Sequence, residues 1–339
     1  MRRLLIPLLL LALIAAACGS DDTDSADDAS TAEDASTAEA TDDEAMEDDE
    51  AMEDDEAASD EAMEDEAAVD FEGELVIGAI PDQDPEILAR NYDLVAGYLS
   101  DELGIPVRFE PVTEYEAAVT AFRVGDLDVA WFGGLTGVQA RLQVDGANAI
   151  AQRDIDEEFT SVFIAGVDSG IEPFDSVDGL SAAAGRTFTF GSESSTSGRL
   201  MPQSFLTQAG VSLDDLEGAP GFSGSHDATI DLVESGTFEM GALNSQVWDA
   251  RVEAGEVDLD RVQVVFTTPT YYDYHWVARP ELGDGLQAQI VEALMGLDPS
   301  DPDEAAILEF FGAESFIETA NENYADIEAV GREIGSIDG

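Results

Sequence analysis

Glu74-Leu-Val-Ile-Gly-Ala-Ile80 is a short apolar run closed by Pro81, the pattern of a strand covered on both faces. Behind it, residues 85–103 carry apolar side chains at Ile87, Leu88, Leu94, Val95, Tyr98 and Leu99, a helical spacing stopped by Gly104. Val107-Arg-Phe-Glu-Pro-Val112 predicts a second strand and 115–124 a second helix, stopped by Gly125. Leu127-Asp-Val-Ala-Trp-Phe132 predicts a third strand, ending in Gly133-Gly134. Strands alternating with helices in this way imply a parallel sheet with right-handed crossovers.

Working outward, a second unit of the same kind follows. Phe159-Thr-Ser-Val-Phe-Ile-Ala165, Thr187-Phe-Thr-Phe190, Met240-Gly-Ala-Leu243 and Val262-Gln-Val-Val-Phe266 read as strands. Helical spacing recurs at 199–209, 227–233, 286–297 and 303–311, and from Glu314 to the end. The expected fold is α/β with two lobes. One lobe takes 71–155 and 270–339, and the other, 156–269, is inserted into it. Two chain crossings would form the hinge between them.

The first 70 residues read differently. Arg2 and Arg3 precede an apolar run of 14 residues, 4–17, too short to span a bilayer but suited to a signal-peptide core. The run ends Ala15-Ala-Ala-Cys18-Gly-Ser20, which resembles a bacterial lipobox. That resemblance implies a signal peptide over 1–18, cleavage before Cys18 and a lipid anchor on its sulfur. Positions 21–70 hold 25 acidic residues and no basic one, with the phrase Glu44-Ala-Met-Glu-Asp-Asp49 repeated from Glu50 and its first five residues again from Glu61. Like charge with little apolar surface cannot offset chain entropy. Residues 19–70 are therefore expected to be a disordered tether.

Composition excludes several chemistries. The 339 residues contain 76 Asp and Glu against 13 basic residues, all Arg, for a net charge of −63. Without lysine there is no P-loop lysine, Schiff base or Ser-x-x-Lys pair. One Cys and two His, His226 and His275, cannot build a Cys/His zinc site, and no disulfide can form within the chain. No cofactor or metal is expected, and so acidic a surface repels nucleic acid.

The stretch that carries chemistry is Thr187-Phe-Thr-Phe-Gly-Ser-Glu-Ser-Ser-Thr-Ser-Gly-Arg-Leu-Met-Pro202. A strand runs into a loop of small hydroxyl residues and then into a helix. Ser195, Thr196 and Ser197 offer hydroxyl donors, and the free N–H groups at the helix start lie at its positive end. The same pattern also suits a plain Ser/Thr helix cap. As an anion cradle it would need no formal positive charge.

With further pieces in order, the chain resembles the substrate-binding components of phosphate, phosphite and phosphonate ABC transporters. Those pieces are Ile80-Pro81, Val112-Thr-Glu-Tyr115, Gly125-Asp-Leu-Asp-Val-Ala-Trp-Phe-Gly133, Ser194-Ser-Thr-Ser-Gly198 with Pro202, Phe222-Ser-Gly-Ser-His226, Gly241-Ala-Leu-Asn-Ser245 and Thr268-Pro-Thr-Tyr-Tyr-Asp273. The resemblance implies a type II periplasmic-binding-protein fold whose lobes close on a small tetrahedral oxyanion. It implies a monomer that delivers this ligand to an ABC permease and is not an enzyme. Its implied ligand residues are Tyr115 and Phe132 from the first lobe, Ser195, Thr196, Ser197, His226 and the Gln246 region from the second, and Asp273 near the hinge; Tyr272, in an aromatic run that could wall the cleft or fill the hinge, is a further candidate. Phe132 stands where some relatives have Tyr. Gln246 stands where relatives that bind aminoalkylphosphonates have an acid. The Tyr271-Tyr-Asp-Tyr-His-Trp276 run also resembles a branch proposed to carry selenate. A serine hydrolase using Ser197 or Ser195 with His226, and a surface sensor, are the competing readings. The first lacks a Gly-x-Ser-x-Gly elbow.

Overall fold

The computed structural model describes Phe71 and residues 73–338. The signal peptide, Cys18 and the tether expected over 19–70 lie outside the described residues. Strand β1 (Leu75–Ala79), helix α1 (Pro85–Leu103), β2 (Val107–Phe109), α2 (Tyr115–Val124) and β3 (Val129–Phe132) follow the expected order. Helix α1 shows why its sequence folds so. The Asp84 carboxylate caps its N-terminus by accepting from the N–H of Glu86 (2.9 Å) and of Ile87 (3.2 Å), with Pro85 in the first turn. Leu88, Tyr92, Val95, Ala96 and Leu99 form the buried stripe, and Gly104 ends the helix in the left-handed region at φ 65°.

Next come α3 (Gly134–Gln143), β4 (Asn148–Arg153), β5 (Ser161–Gly166), β6 (Phe188–Phe190), α4 (Met201–Gln208), β7 (Gly221–Phe222), α5 (His226–Glu234) and β8 (Met240–Asn244). They are followed by α6 (Ser245–Glu253), β9 (Val262–Thr267), β10 (His275–Ala278), α7 (Gly283–Met295), α8 (Pro302–Phe311), β11 (Phe316–Glu318) and α9 (Ala325–Ile334). The continuous helix expected after Glu314 is absent among the described residues. Phe316–Glu318 instead pairs antiparallel with β4 as an edge strand before α9 begins.

Two sheets result. The first has the order β11-β4-β10-β3-β1-β2 and the second β7-β6-β8-β5-β9. β1 is parallel to β2 and β3, as the crossovers require. β10 runs antiparallel to β3 and β4, because the chain re-enters this sheet from the other lobe, so the sheet is mixed rather than purely parallel. The chain passes between the sheets twice, after β4 and after β9. The two passages are stitched by a reciprocal pair of 3.0 Å backbone hydrogen bonds between Phe159 and Tyr271. Asp156 on the first passage accepts from the Asp273 N–H through its carbonyl and from the Tyr274 N–H through its carboxylate, both at 3.2 Å. This stitching sets the position of the residues that follow β9.

Candidate functional site

Between the sheets, the hydroxyl-rich loop after β6 meets the start of α3. Ser195 caps the turn, its Oγ accepting from the Gly198 N–H at 2.9 Å. The turn itself, Thr196–Leu200, is wound as a π-helix, wider than an α-turn, and leads into α4 with Pro202 in its first turn. Ser195, Thr196 and Ser197 are buried despite their hydroxyls. From the other lobe, the Leu135 N–H donates to Thr196 Oγ1 at 2.9 Å and the Gly134 N–H to Asp273 Oδ1 at 2.9 Å. The positive end of α3 therefore faces the turn that starts α4. Gly133 makes the approach possible, since a Cβ there would lie 3.1 Å from Thr196 Oγ1 and 3.2 Å from Asp273 Oδ1.

Two polar atoms at this junction, Tyr115 Oη and Asp273 Oδ2, are buried with no hydrogen-bond partner among the described residues. Burial raises the Asp273 carboxyl to about 7, against the Gly134 N–H that lowers it and with the Asp156 charge that raises it further. Burial likewise pushes the Tyr115 phenol well above its ordinary value, so it stays a neutral donor. The junction thus combines neutral hydroxyls, two helix N-termini and one carboxyl able to hold a proton. That set suits an oxyanion better than a cation.

His226 comes to the same junction, with its ring against Gly198. Its Nδ1 accepts from the Asn244 N–H at 3.3 Å, which leaves the proton on Nε2, 3.2 Å from Tyr274 Oη. Tyr274 also accepts from Asn244 Nδ2 at 3.2 Å and donates to Asp82 Oδ2 at 3.0 Å. Burial holds the imidazole near 3, so it is neutral. Neither ring nitrogen bonds Ser195 or Ser197, which removes the pairing a serine hydrolase needs.

The other expected residues divide. The structure brings Tyr115, Ser195, Thr196, Ser197, His226 and Asp273 together. Phe132 packs its ring edge-on against Phe122 in the core, at 5.7 Å between centroids. Tyr272 points away from the cradle, packing on Tyr324 with its hydroxyl 3.5 Å from Glu157, because its neighbour Asp273 takes the inward position. Gln246 binds Arg153 (2.6 Å) rather than any cradle residue. His275 is structural, stacked on Tyr324 with its Nδ1 3.0 Å from the Asp273 carbonyl. Sequence reasoning missed Asp82, Arg153, Asn244 and Glu116, whose carboxylate accepts from Ser194 Oγ at 2.7 Å. The one signal for Asp82 was its place just past the Pro81 that closes β1.

Comparison with known proteins gives a consistent picture. Residues 77–324 match the family model described as ABC transporter, phosphonate, periplasmic substrate-binding protein. The chain is 45% identical over 268 residues to the probable ABC transporter phosphite binding protein PhnD1 of Prochlorococcus marinus (strain MIT 9301), covering 78% of this chain and 90% of that one. The solved structure of that PhnD1 in complex with methylphosphonate superposes with a TM-score of 0.76, covering 78% of this chain and 99% of that one. A phosphate-import protein PhnD of Mycolicibacterium smegmatis is 26% identical, over 64% of this chain and 69% of its own. These relatives are binding components of transporters, not enzymes.

Proposed function

This chain belongs to the periplasmic substrate-binding proteins of phosphonate ABC transporters, and on that premise we propose that it captures a small, singly protonated phosphorus oxyanion between its lobes. Phosphite and methylphosphonate, with which the relative's name and structure are associated, are the ligands that fit best. The observation that carries this is Asp273, whose free oxygen is buried among neutral donors. An ionised carboxylate accepts hydrogen bonds and donates none, so it favours an anion that still holds a proton. Sulfate and selenate hold none near neutral pH and can pair with Asp273 only when the proton sits on Asp273 itself, whereas a phosphorus anion can bring that proton with it; selenate is the less favoured ligand for that reason. The neutral hydroxyls, Tyr115 and the two helix N-termini then serve the unprotonated oxygens. The loaded protein would present its ligand to a permease as a monomer.

The test is calorimetric titration of the full chain with phosphite, methylphosphonate, phosphate, sulfate and selenate at pH 7. Binding of a phosphorus anion at least tenfold tighter than of selenate is expected, about 1.4 kcal/mol. Tight selenate binding with no phosphorus anion bound would overturn the reading. Anchoring through Cys18 is the second part of the proposal. Cys18→Ser should release the protein from the membrane fraction of expressing cells, and a variant that still sediments with membranes would rule the anchor out.

A further inference from the structure

The first turn of α6 belongs to the inserted lobe, yet side chains and carbonyls of the other lobe hold it. Gln246 Oε1 accepts from Arg153 Nη1 at 2.6 Å, and Gln246 Nε2 reaches the Gly312 carbonyl at 3.4 Å. The same Arg153 nitrogen donates to the Phe311 carbonyl at 2.7 Å, while Nε and Nη2 each donate to Asp156 at 2.7 Å. The guanidinium lies 4.9 Å from the Tyr274 ring centroid, 5.4 Å from Phe159 and 5.5 Å from Trp131. Burial opposes its charge, but the Asp156 carboxylate more than restores it. Arg153 is therefore a rigid donor, with its geometry fixed before Gln246 arrives.

None of these bonds uses an atom of the cradle. A bound anion and the Gln246–Arg153 contact nevertheless depend on the same spacing between lobes. Beside the contact is a cavity of about 90 Å³, lined by Asp82, Trp131, Arg153, Gln246 and Phe311 among others. It has room for a few waters and little more. A ligand that holds the lobes further apart would break the 2.6 Å bond and leave Arg153 with a buried, unpaired N–H.

We infer that Gln246 is a specificity-determining residue that selects ligands by size, by clasping Arg153 across the cleft and fixing how closely the lobes approach. It acts without touching the ligand. The inference rests on the proposed function above, in that the cleft takes a phosphonate-type anion.

The experiment uses the full chain and a homologous series of methyl-, ethyl- and n-propylphosphonate, titrated calorimetrically into wild type, Gln246→Ala and Gln246→Glu. Wild type should lose affinity steeply along the series. Gln246→Ala should weaken methylphosphonate on the order of tenfold, the effect of one charge-assisted hydrogen bond, and n-propylphosphonate less than twofold. Its dependence on chain length should flatten accordingly. Gln246→Glu keeps an acceptor for Arg153 and should keep the steep dependence. Parallel losses along the series in Gln246→Ala would overturn the size filter alone. No binding of any phosphonate by wild type would overturn the ligand reading and the filter with it.

Discussion

Asp273 faces a requirement set by its burial beside the cradle. Two adjacent buried negative charges cannot both stay ionised, so an oxyanion beside its carboxylate must share one proton with it. With the carboxyl already raised to about 7, that proton can sit on either partner near neutral pH. Affinity for phosphite should hold steady while one partner is protonated. Above about pH 7 it should fall by up to tenfold per pH unit, as one proton must be taken up on binding. Asp273→Asn removes the shared proton, and its phosphite affinity should be weaker but flatter with pH. An equally steep fall in the variant would show that Asp273 is not the proton partner. The same shift bears on folding. The folded value lies above the ordinary 3.8, so the stabilising contribution is complete below about 4 and lost as pH rises through 7. The variant should therefore gain on wild type between pH 4 and 7, by an amount on the order of 4 kcal/mol at most, and no further above. Gly133 is the other sensitive position. Its φ of −73° would accept alanine, but Thr196 Oγ1 and Asp273 Oδ1 are each fixed by a backbone N–H and cannot retreat. Gly133→Ala should cost roughly tenfold or more in phosphite affinity by titration, since overpacking costs about 1–3 kcal/mol. Unchanged affinity would mean the cradle is roomier than these contacts indicate.

Helix α3 ties the site to the core, and one glycine sets how closely. A Cβ on Gly137 would lie 2.3 Å from His275 Nε2, and His275 is held by its 3.7 Å stack on Tyr324 and its contact with the Asp273 carbonyl. Gly137→Ala should therefore lower the melting temperature by several degrees, with about 1–3 kcal/mol lost to overpacking. It should also weaken phosphite binding by displacing Asp273. A melting temperature equal to or above wild type would contradict that packing. This helix was not legible in the sequence, for a physical reason. Gly133 and Gly134 read only as the end of a strand, yet Gly134 and Gly137 are there because Tyr272 and His275 press against α3. β4 was hidden likewise, since Gln152 and Arg153 look like loop residues until the fold buries them, with Tyr324 donating to Gln152 Oε1 and Asp156 pairing with Arg153. Helix α6 buries only Val247 and Trp248, too little apolar surface to give a periodic signal. By contrast, β1, α1, β2, α2 and β3 were readable because each carries its own pattern of burial and its own stop. The hydroxyl-rich turn was readable for the same reason, being one contiguous stretch. The clasp around Arg153 and the Asp82–Tyr274 pair join residues far apart in the chain, and only the fold brings them together.

At the scale of the whole molecule, charge opposes the ligand. Residues 71–339 carry 51 acidic side chains against 11 arginines, a net charge near −40. Six of those arginines are already engaged by carboxylates: Arg108, Arg153, Arg186, Arg251, Arg279 and Arg332. Arg199, in the same turn as Thr196 and Ser197, is held between the Phe190 and Phe222 rings at 5.3 and 5.6 Å, and its Nε and Nη1 have no hydrogen-bond partner among the described residues. One such cation softens the local field without reversing a field of this size. An approaching anion is therefore repelled over a distance set by the screening length, about 30 Å at 0.01 M salt and about 8 Å at 0.15 M. Once inside, it meets short hydrogen bonds in a low dielectric, where screening matters little. The two regimes separate cleanly in kinetics. Raising salt from 0.01 to 0.15 M should speed phosphite association several-fold, while dissociation stays nearly constant. Stopped-flow fluorescence can follow this through Trp131, which stacks on Tyr274 at 5.7 Å beside the cleft. Chloride could compete for the cradle and mask the gain, so the series should be repeated with a salt of a bulky anion. Association that slows with both salts would mean that the cleft mouth presents a net positive field, and that α3, α4 and Arg199 outweigh the acidic surface at the range where the ligand is captured.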